Sequence, residues 1–222
     1  AGGFLGSYAD LAIVGGALES IDVRDINDPD RELTQNIIPP KPLQAAVTRL
    51  RAADANWFFD FAESAKLVTR LVEASALYAP QEINFDAAVA ISPKVIEDLL
   101  ALTGPIEVGM KKFTFTAENF LEEIQRRVQV GHVTRATYPK EVLKELSAAV
   151  LLRVRSLEEE KRQEIVRLVR AWVEKKDVML YFENAELQRF FEDLEATGTL
   201  YVPPANFEGD YLAVVDANVG GG

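Results

Sequence analysis

The sequence contains no cysteine and a single histidine, His132, among its 222 residues. The absence of cysteine excludes disulfides, thiolate metal sites and cysteine nucleophiles. Transition metals favour thiolate and imidazole ligands, so one histidine offers little to such a metal. The chain also lacks the P-loop, zincin, nucleophile-elbow and dinucleotide-binding signatures. The best-known motifs of nucleotide binding and hydrolysis are therefore missing.

Long apolar runs are missing too. No 18 consecutive residues are apolar, so no segment is predicted to cross a bilayer. The start at Ala1-Gly2-Gly3 lacks the charged and apolar regions of a signal peptide. Because the chain has no initiator methionine and stops in three glycines after an apolar segment, we expect it to be a fragment whose flanking parts are missing.

The sequence has fewer basic than acidic residues. The 24 lysines and arginines face 35 acidic residues, which gives a net charge of -11. Such a chain repels phosphate backbones at long range, so nucleic acid is not an expected partner. The two basic pairs, Lys111-Lys112 and Arg126-Arg127, are short and are interpreted as solvated ends of helices and hairpins.

The residues that are present favour one folded domain. Hydrophobic residues make up 48% and charged residues 27% of the chain, as in an ordinary globular protein. A length of 222 residues is enough for one sizeable core. We therefore predict a single α/β domain over residues 1–222.

The hydrophobic pattern alternates between strands and helices. A hairpin is predicted over Tyr8–Val14 and Ala17–Val23, and further strands at residues 85–91, 106–108, 112–116, 178–182 and 211–215. Ser92-Pro93 and Gly104 bound a helix between two strands, which predicts a β-α-β unit. The predicted fold is α/β, with a mixed central sheet, helices on both faces as in an α/β/α sandwich, and a helical hairpin at about 139–175.

The segment RAADANWFFDF, residues 51–61, mixes polar and aromatic side chains inside a long predicted loop. Such polar groups must either bond to one another or line a site. In the first interpretation, Asp54 and Asn56 bond nearby backbone N–H groups. In the second, a carboxylate pair binds a hard cation or positions a water, and an arginine clamps an anion. The candidate residues are Arg51, Asp54, Asn56, Trp57 and Asp60, with Arg24 as a second possible clamp.

Several stretches resemble the bacterial family called domain of unknown function 4012. They are GGFLGSYADL, DVRDIND, PPKPL, RAADANWFFDFAESA, FDAAVAISPKVIEDLLALTGPIEV, FTAENF, VMLYFENAELQ and DYLAVVDANVGG. Together they run from residue 2 to residue 221. In the fourth stretch the family commonly has proline and threonine where this chain has Ala62 and Glu63.

The chain is also similar, more faintly, to the LytR-CpsA-Psr phosphotransferases, which transfer lipid-linked glycans to the cell wall. That likeness implies phosphate contacts for Arg24, Arg126 and Arg127, and Mg²⁺ coordination for Asp25. The first strand departs from those enzymes, which have an Arg-Ser-Asp triplet where this chain has Gly6-Ser7-Tyr8. The departure favours binding without catalysis.

The first resemblance implies an extracytoplasmic domain of the bacterial envelope, at the cell surface or the outer face of the membrane. An N-terminal helix absent from this sequence would be its only membrane contact. The expected role is a binding or scaffold module for envelope glycan, lipid phosphate or a surface protein. The alternative is a Mg²⁺-dependent phosphotransferase acting on a polyprenyl-pyrophosphate-linked glycan.

Overall fold

The computed structural model describes residues 4–109, 113–134, 138–204, 206–209 and 212. These residues contain six strands and seven α-helices. In chain order they are β1 (Ser7–Val14), β2 (Ala17–Asp25), α1 (Asn27–Arg31), α2 (Phe61–Glu73), β3 (Ala87–Ile91), α3 (Pro93–Thr103), β4 (Ile106–Val108), β5 (Phe113–Phe115), α4 (Phe120–Thr134), α5 (Tyr138–Arg155), α6 (Glu159–Glu174), β6 (Val178–Phe182) and α7 (Ala185–Asp193). Short 3-10 turns lie at Lys41–Ala45, Ala52–Asp54 and Ala79–Gln81.

The predicted α/β class is confirmed, but the strands are arranged differently from the prediction. In the described residues, three two-stranded sheets take the place of one central sheet: β1 with β2, β3 with β6, and β4 with β5. The β1-β2 and β4-β5 pairs are antiparallel. The sandwich of the LytR-CpsA-Psr enzymes is therefore not confirmed. The last predicted strand, residues 211–215, lies outside the described residues except for Leu212.

The predicted β-α-β unit is wrong, because β3 and β4 belong to different sheets. Val108 of β4 pairs with Phe113 of β5 across a short connection that begins at Gly109, whose φ is 78°. Closing a short hairpin costs less chain entropy than pairing strands through a crossover. The three-residue strand β4 therefore pairs with its neighbour in sequence.

The described chain divides into two compact units. The first unit comprises residues 1–6, 26–89 and 179–222, and the second comprises residues 7–25 and 90–178. The expectation of a single domain stays a prediction.

The core of the second unit surrounds α5. Val142, Leu146 and Val150 recur every fourth residue on α5 and are at most 3% exposed. They pack in one cluster with Leu100, Ile106, Val108, Phe115 and Phe120. Helices α5 and α6 confirm the two helices predicted at about 139–175, and α5 contacts both β2 and β4.

The ends of α3 are as the sequence predicted, with Pro93 in the first turn and Gly104 after the last residue at a φ of 84°. The Ser92 hydroxyl does not cap the helix and instead donates to Asp177 Oδ1 at 2.6 Å. At the other end, Arg153 of α5 donates to the carbonyl oxygens of Thr103 and Pro105 at 3.0 and 3.4 Å. A cation thus binds the Thr103 carbonyl, which the helix leaves unpaired, and the Pro105 carbonyl just beyond the helix.

The first unit is built around α2. Its buried stripe includes Phe61, Ala65, Leu71 and Val72. The helix begins at Phe61, because Asp60 caps it. Between α1 and α2 the chain forms the 3-10 turns Lys41–Ala45 and Ala52–Asp54.

Helix α7 follows β6 and is capped by Asn184. Asn184 Oδ1 accepts the amides of Glu186 and Leu187 at 3.0 Å each. Phe191 of α7 then stacks on Phe182 of β6, with ring centroids 4.7 Å apart. The helix is thereby attached to the strand that precedes it.

Candidate functional site

The 3-10 turn at Ala52–Asp54 is held by the pair Arg51 and Asp54. Asp54 is 3% exposed and accepts the Arg51 backbone amide at 3.3 Å. Its two oxygens also accept Nε and Nη2 of Arg51 at 3.1 and 3.3 Å. The hydrogen bond to Asp54 raises the pKa of Arg51 above its ordinary value, so the guanidinium stays charged. For this pair the structure matches the interpretation of a loop that satisfies its own polar groups.

A third residue of this loop scaffold, Asp30 of α1, was missed by the sequence reasoning. Asp30 is 2% exposed and accepts the amides of Ala52 and Ala53 at 2.7 and 3.0 Å. Burial raises the pKa of Asp30, although the two amides act in the opposite direction. The partners lie more than 20 residues apart, so no local pattern in the sequence indicates the contact.

Both side-chain oxygens of Asp60 accept hydrogen bonds from backbone amides. Oδ1 accepts the Glu63 amide at 3.3 Å and so caps α2, while Oδ2 accepts the Leu200 amide at 3.0 Å. The Ser64 hydroxyl donates to the Phe58 carbonyl at 3.1 Å. These bonds fix the chain on both sides of the aromatic residues.

The aromatic residues themselves reach solvent. Phe58 and Phe59 are 39% and 40% exposed, and Trp57 and Asn56 are half-buried. Tyr201 and Val202 follow the anchored Leu200 and are 64% and 81% exposed. The hydrogen bond between Leu200 and Asp60 joins these two segments. We call the three rings Phe58, Phe59 and Tyr201, together with Val202, the aromatic surface. Tyr201 and Val202 were not predicted, because nothing in the sequence links residue 60 to residue 200.

Arg24 and Asp25 lie at the end of β2 in the second unit. Arg24 Nε pairs with Asp22 Oδ2 at 2.9 Å, and Lys144 of α5 reaches Asp22 Oδ1 at 2.9 Å. The hydrogen bond from Lys144 is the main cause that lowers the pKa of Asp22. Asp25 lies opposite Ser7 in the β1-β2 register.

Arg126 and Arg127 lie on α4 and share one carboxylate. Glu123 Oε2 is 2.6 Å from Nη2 of Arg126 and 3.5 Å from Nε of Arg127. The Arg127 guanidinium also lies over the ring of Phe113, at 4.3 Å from its centroid. The structure thus brings Arg126 and Arg127 together at Glu123 and places Arg24 at Asp22. The phosphate-binding role implied for the three arginines stays a prediction.

A metal role for Asp25 also stays a prediction. Among the residues that the structure describes, no three His, Cys, Asp or Glu side chains come close enough to hold an ion. Mg²⁺ is usually held by one or two carboxylates together with substrate phosphates and water. Within the same residues, no helix has both the length and the apolar content that a membrane span requires.

The comparison with protein families matches residues 1–128 to the family described as protein of unknown function (DUF4012). The chain belongs to this family. The match includes every candidate site residue, from Arg24 to Arg127. The stretches near 178–188 and 210–221, which resemble the same family, lie beyond the DUF4012 match. Searches of curated proteins and of solved structures found no match.

Proposed function

We propose that this DUF4012 domain works on the outer side of the bacterial membrane and binds envelope glycan through its aromatic surface. The observation that carries the proposal is the pair Phe58 and Phe59, exposed at 39% and 40% on a loop fixed by buried carboxylates. An aromatic side chain offers a large apolar contact area and has few rotatable bonds. It therefore loses little conformational entropy when it binds a ligand. A sugar ring offers the flat C–H face that such a ring can cover.

The rigidity of the loop supports binding. Asp30, Asp54 and Asp60 accept seven hydrogen bonds in all, from Ala52, Ala53, Arg51, Glu63 and Leu200. A loop held in this way loses little entropy when a ligand binds. The same bonds occupy the carboxylates, which disfavours cation binding at residues 51–61.

The charge of the chain favours a neutral glycan over an anionic ligand. The net charge is -11, and Asp54 already neutralises Arg51, the arginine nearest to the aromatic residues in sequence. A phosphate-rich polymer or lipid would therefore meet repulsion without a compensating clamp. A protein partner with an apolar surface is the main competing occupant of the aromatic surface.

Co-sedimentation with purified cell-wall sacculi tests the proposal. We expect the wild-type chain to sediment with sacculi and Phe58→Ala/Phe59→Ala to lose about ten-fold or more in affinity, because two stacking rings are removed. Leu121→Ala is the matched control, since Leu121 is also 40% exposed but lies on α4. Absence of wild-type binding, or equal binding by the double variant, would overturn the proposal. Capture of a surface protein that depends on Phe58 and Phe59, without sacculus binding, would assign the surface to a protein.

A further inference from the structure

Helix α6 carries two apolar stripes, and only one of them is covered. Ile165, Leu168 and Trp172 form the inner stripe, with Trp172 6% exposed. Val166, Val169 and Val173 recur at helical spacing on a second stripe, where Val166 is 70% and Val169 43% exposed and Val173 is half-buried. The helix lies beyond the residues that match the DUF4012 family.

Both ends of α6 carry charges of both signs. Glu158, Glu159 and Glu160 are followed by Lys161 and Arg162 at its beginning, and Glu174 is followed by Lys175 and Lys176 at its end. Glu159 is 77% exposed and falls on the same side of the helix as the valine stripe. A partner helix that runs in the opposite direction with the same sequence would therefore place its lysines beside these glutamates.

We propose that α6 is a homodimer contact in which two copies of the chain pair antiparallel through the valine stripe. One register satisfies both features at once: Val166 faces Val169 of the second copy, and Glu159 approaches Lys176, which follows the end of the helix with a φ of 61°. In the same register Arg162 faces Val173, over which its aliphatic stem can lie. The contact is isologous, so each favourable pair occurs twice.

The dimer is weak. Stable interfaces bury about 1,200–2,000 Å² in total, and one helix pair over four turns buries less than that. We expect association in the upper micromolar range, on the order of 100 μM. Such a contact becomes populated where the chain is concentrated.

Sedimentation velocity over a concentration series up to about 1 mM measures the association. Wild type is expected to shift towards twice its monomer mass, and Val166→Glu/Val169→Glu to remain monomeric. Leu152→Glu is the control, because Leu152 is 66% exposed but lies on α5. A wild-type chain that is monomeric throughout, or a control that abolishes association equally, overturns the proposal.

Charge reversal tests the antiparallel direction. Glu159→Lys and Lys176→Glu alone should each weaken association several-fold, and the two changes together should restore it. Circular dichroism verifies that α6 still forms, since these changes also affect the helix ends. Failure of the double change to restore association would rule out this direction.

Engineered cysteines test the register, because the chain has none of its own. A mixture of Val166→Cys and Val169→Cys chains should form disulfide-linked dimers faster than either variant alone. Equal rates in the mixture and in the separate variants would contradict the register.

Discussion

Asp30 stabilises the loop at residues 51–61 from outside it. In Asp30→Ala the buried amides of Ala52 and Ala53 lose their acceptor, and each unsatisfied amide costs about 1–3 kcal/mol. We expect the unfolding free energy to fall by about 2–5 kcal/mol in urea denaturation. Asp28→Ala removes an exposed ion pair with Arg31 and should cost under about 0.5 kcal/mol. Equal losses in the two variants would show that Asp30 does not hold the loop.

Tyr181 gives the first unit a pH dependence on the alkaline side. Burial, followed by the hydrogen bond to Glu183, raises the pKa of Tyr181 from 10.0 to about 12. Because the folded pKa is the higher one, the stabilisation is complete below pH 10 and is lost as the pH rises towards 12. The unfolding free energy should fall between pH 9.5 and pH 11.5. We expect this fall to be larger in wild type than in Tyr181→Phe by on the order of 2 kcal/mol.

Glu183→Gln is the companion variant for this measurement. Loss of the carboxylate removes one cause of the raised pKa and leaves burial, so the alkaline loss of stability should begin at a lower pH than in wild type. An unchanged profile in both variants would contradict the role of Tyr181.

Gly198 is required where the chain passes Phe61 and Met179. Its φ is 62°, and a Cβ there would lie 2.5 Å from Met179 Sδ and 3.1 Å from Phe61 Cβ. Gly104 has a φ of 84° with open space around it. We expect Gly104→Ala to cost about 1 kcal/mol from backbone strain alone, and Gly198→Ala to cost at least about 2 kcal/mol. Thermal unfolding of the two variants measures both losses. A larger loss of stability in Gly104→Ala than in Gly198→Ala would contradict this account.

At the scale of elements, the end of α3 depends on an arginine from α5. Arg153 donates to the carbonyls of Thr103 and Pro105, so Arg153→Ala should lower the unfolding free energy by about 1–2 kcal/mol. Arg167→Ala, whose side chain is 76% exposed and pairs with Glu164, should cost under about 0.5 kcal/mol. Chemical denaturation compares the two. If Arg167→Ala were the costlier change, α3 would not depend on Arg153.

Much of the element pattern could be predicted, because it rests on local chemistry. Pro93 and Gly104 bound α3, and Asn184 caps α7, as helix-end preferences indicate. Strand pairing could not be predicted, since alternation fixes which side of a strand is buried and not which strand lies beside it. β4 shows the difference: its bounds were predicted correctly and its partner was not.

In the candidate site, too, contacts between neighbours in sequence could be predicted and contacts between distant segments could not. The contact of Asp54 with its own loop was one of two interpretations of residues 51–61, and it depends on neighbours in sequence. The contacts of Asp30 and of Leu200 join distant segments, so only the folded chain reveals them. For the same reason Tyr201 and Val202 were missed.

At the scale of the whole molecule, an acidic chain of the DUF4012 family presents exposed aromatic rings within the family-matched part. Its carboxylates at residues 30, 54 and 60 accept hydrogen bonds from the chain, and in the proposed function the aromatic surface is the part that contacts glycan. The proposed α6 contact lies outside the matched part and uses none of the residues of this surface. Loss of dimerisation should therefore leave the affinity of a single chain for glycan unchanged.

The fluorescence of Trp57 tests glycan recognition most directly. The chain has two tryptophans, so Trp172→Phe leaves Trp57 as the only one, beside Phe58. Titration with soluble glycan strands released from bacterial cell walls should change its emission saturably, and the change should disappear when Phe58→Ala/Phe59→Ala is added. A flat titration of the folded single-tryptophan chain, or an equal response in both variants, would contradict the account.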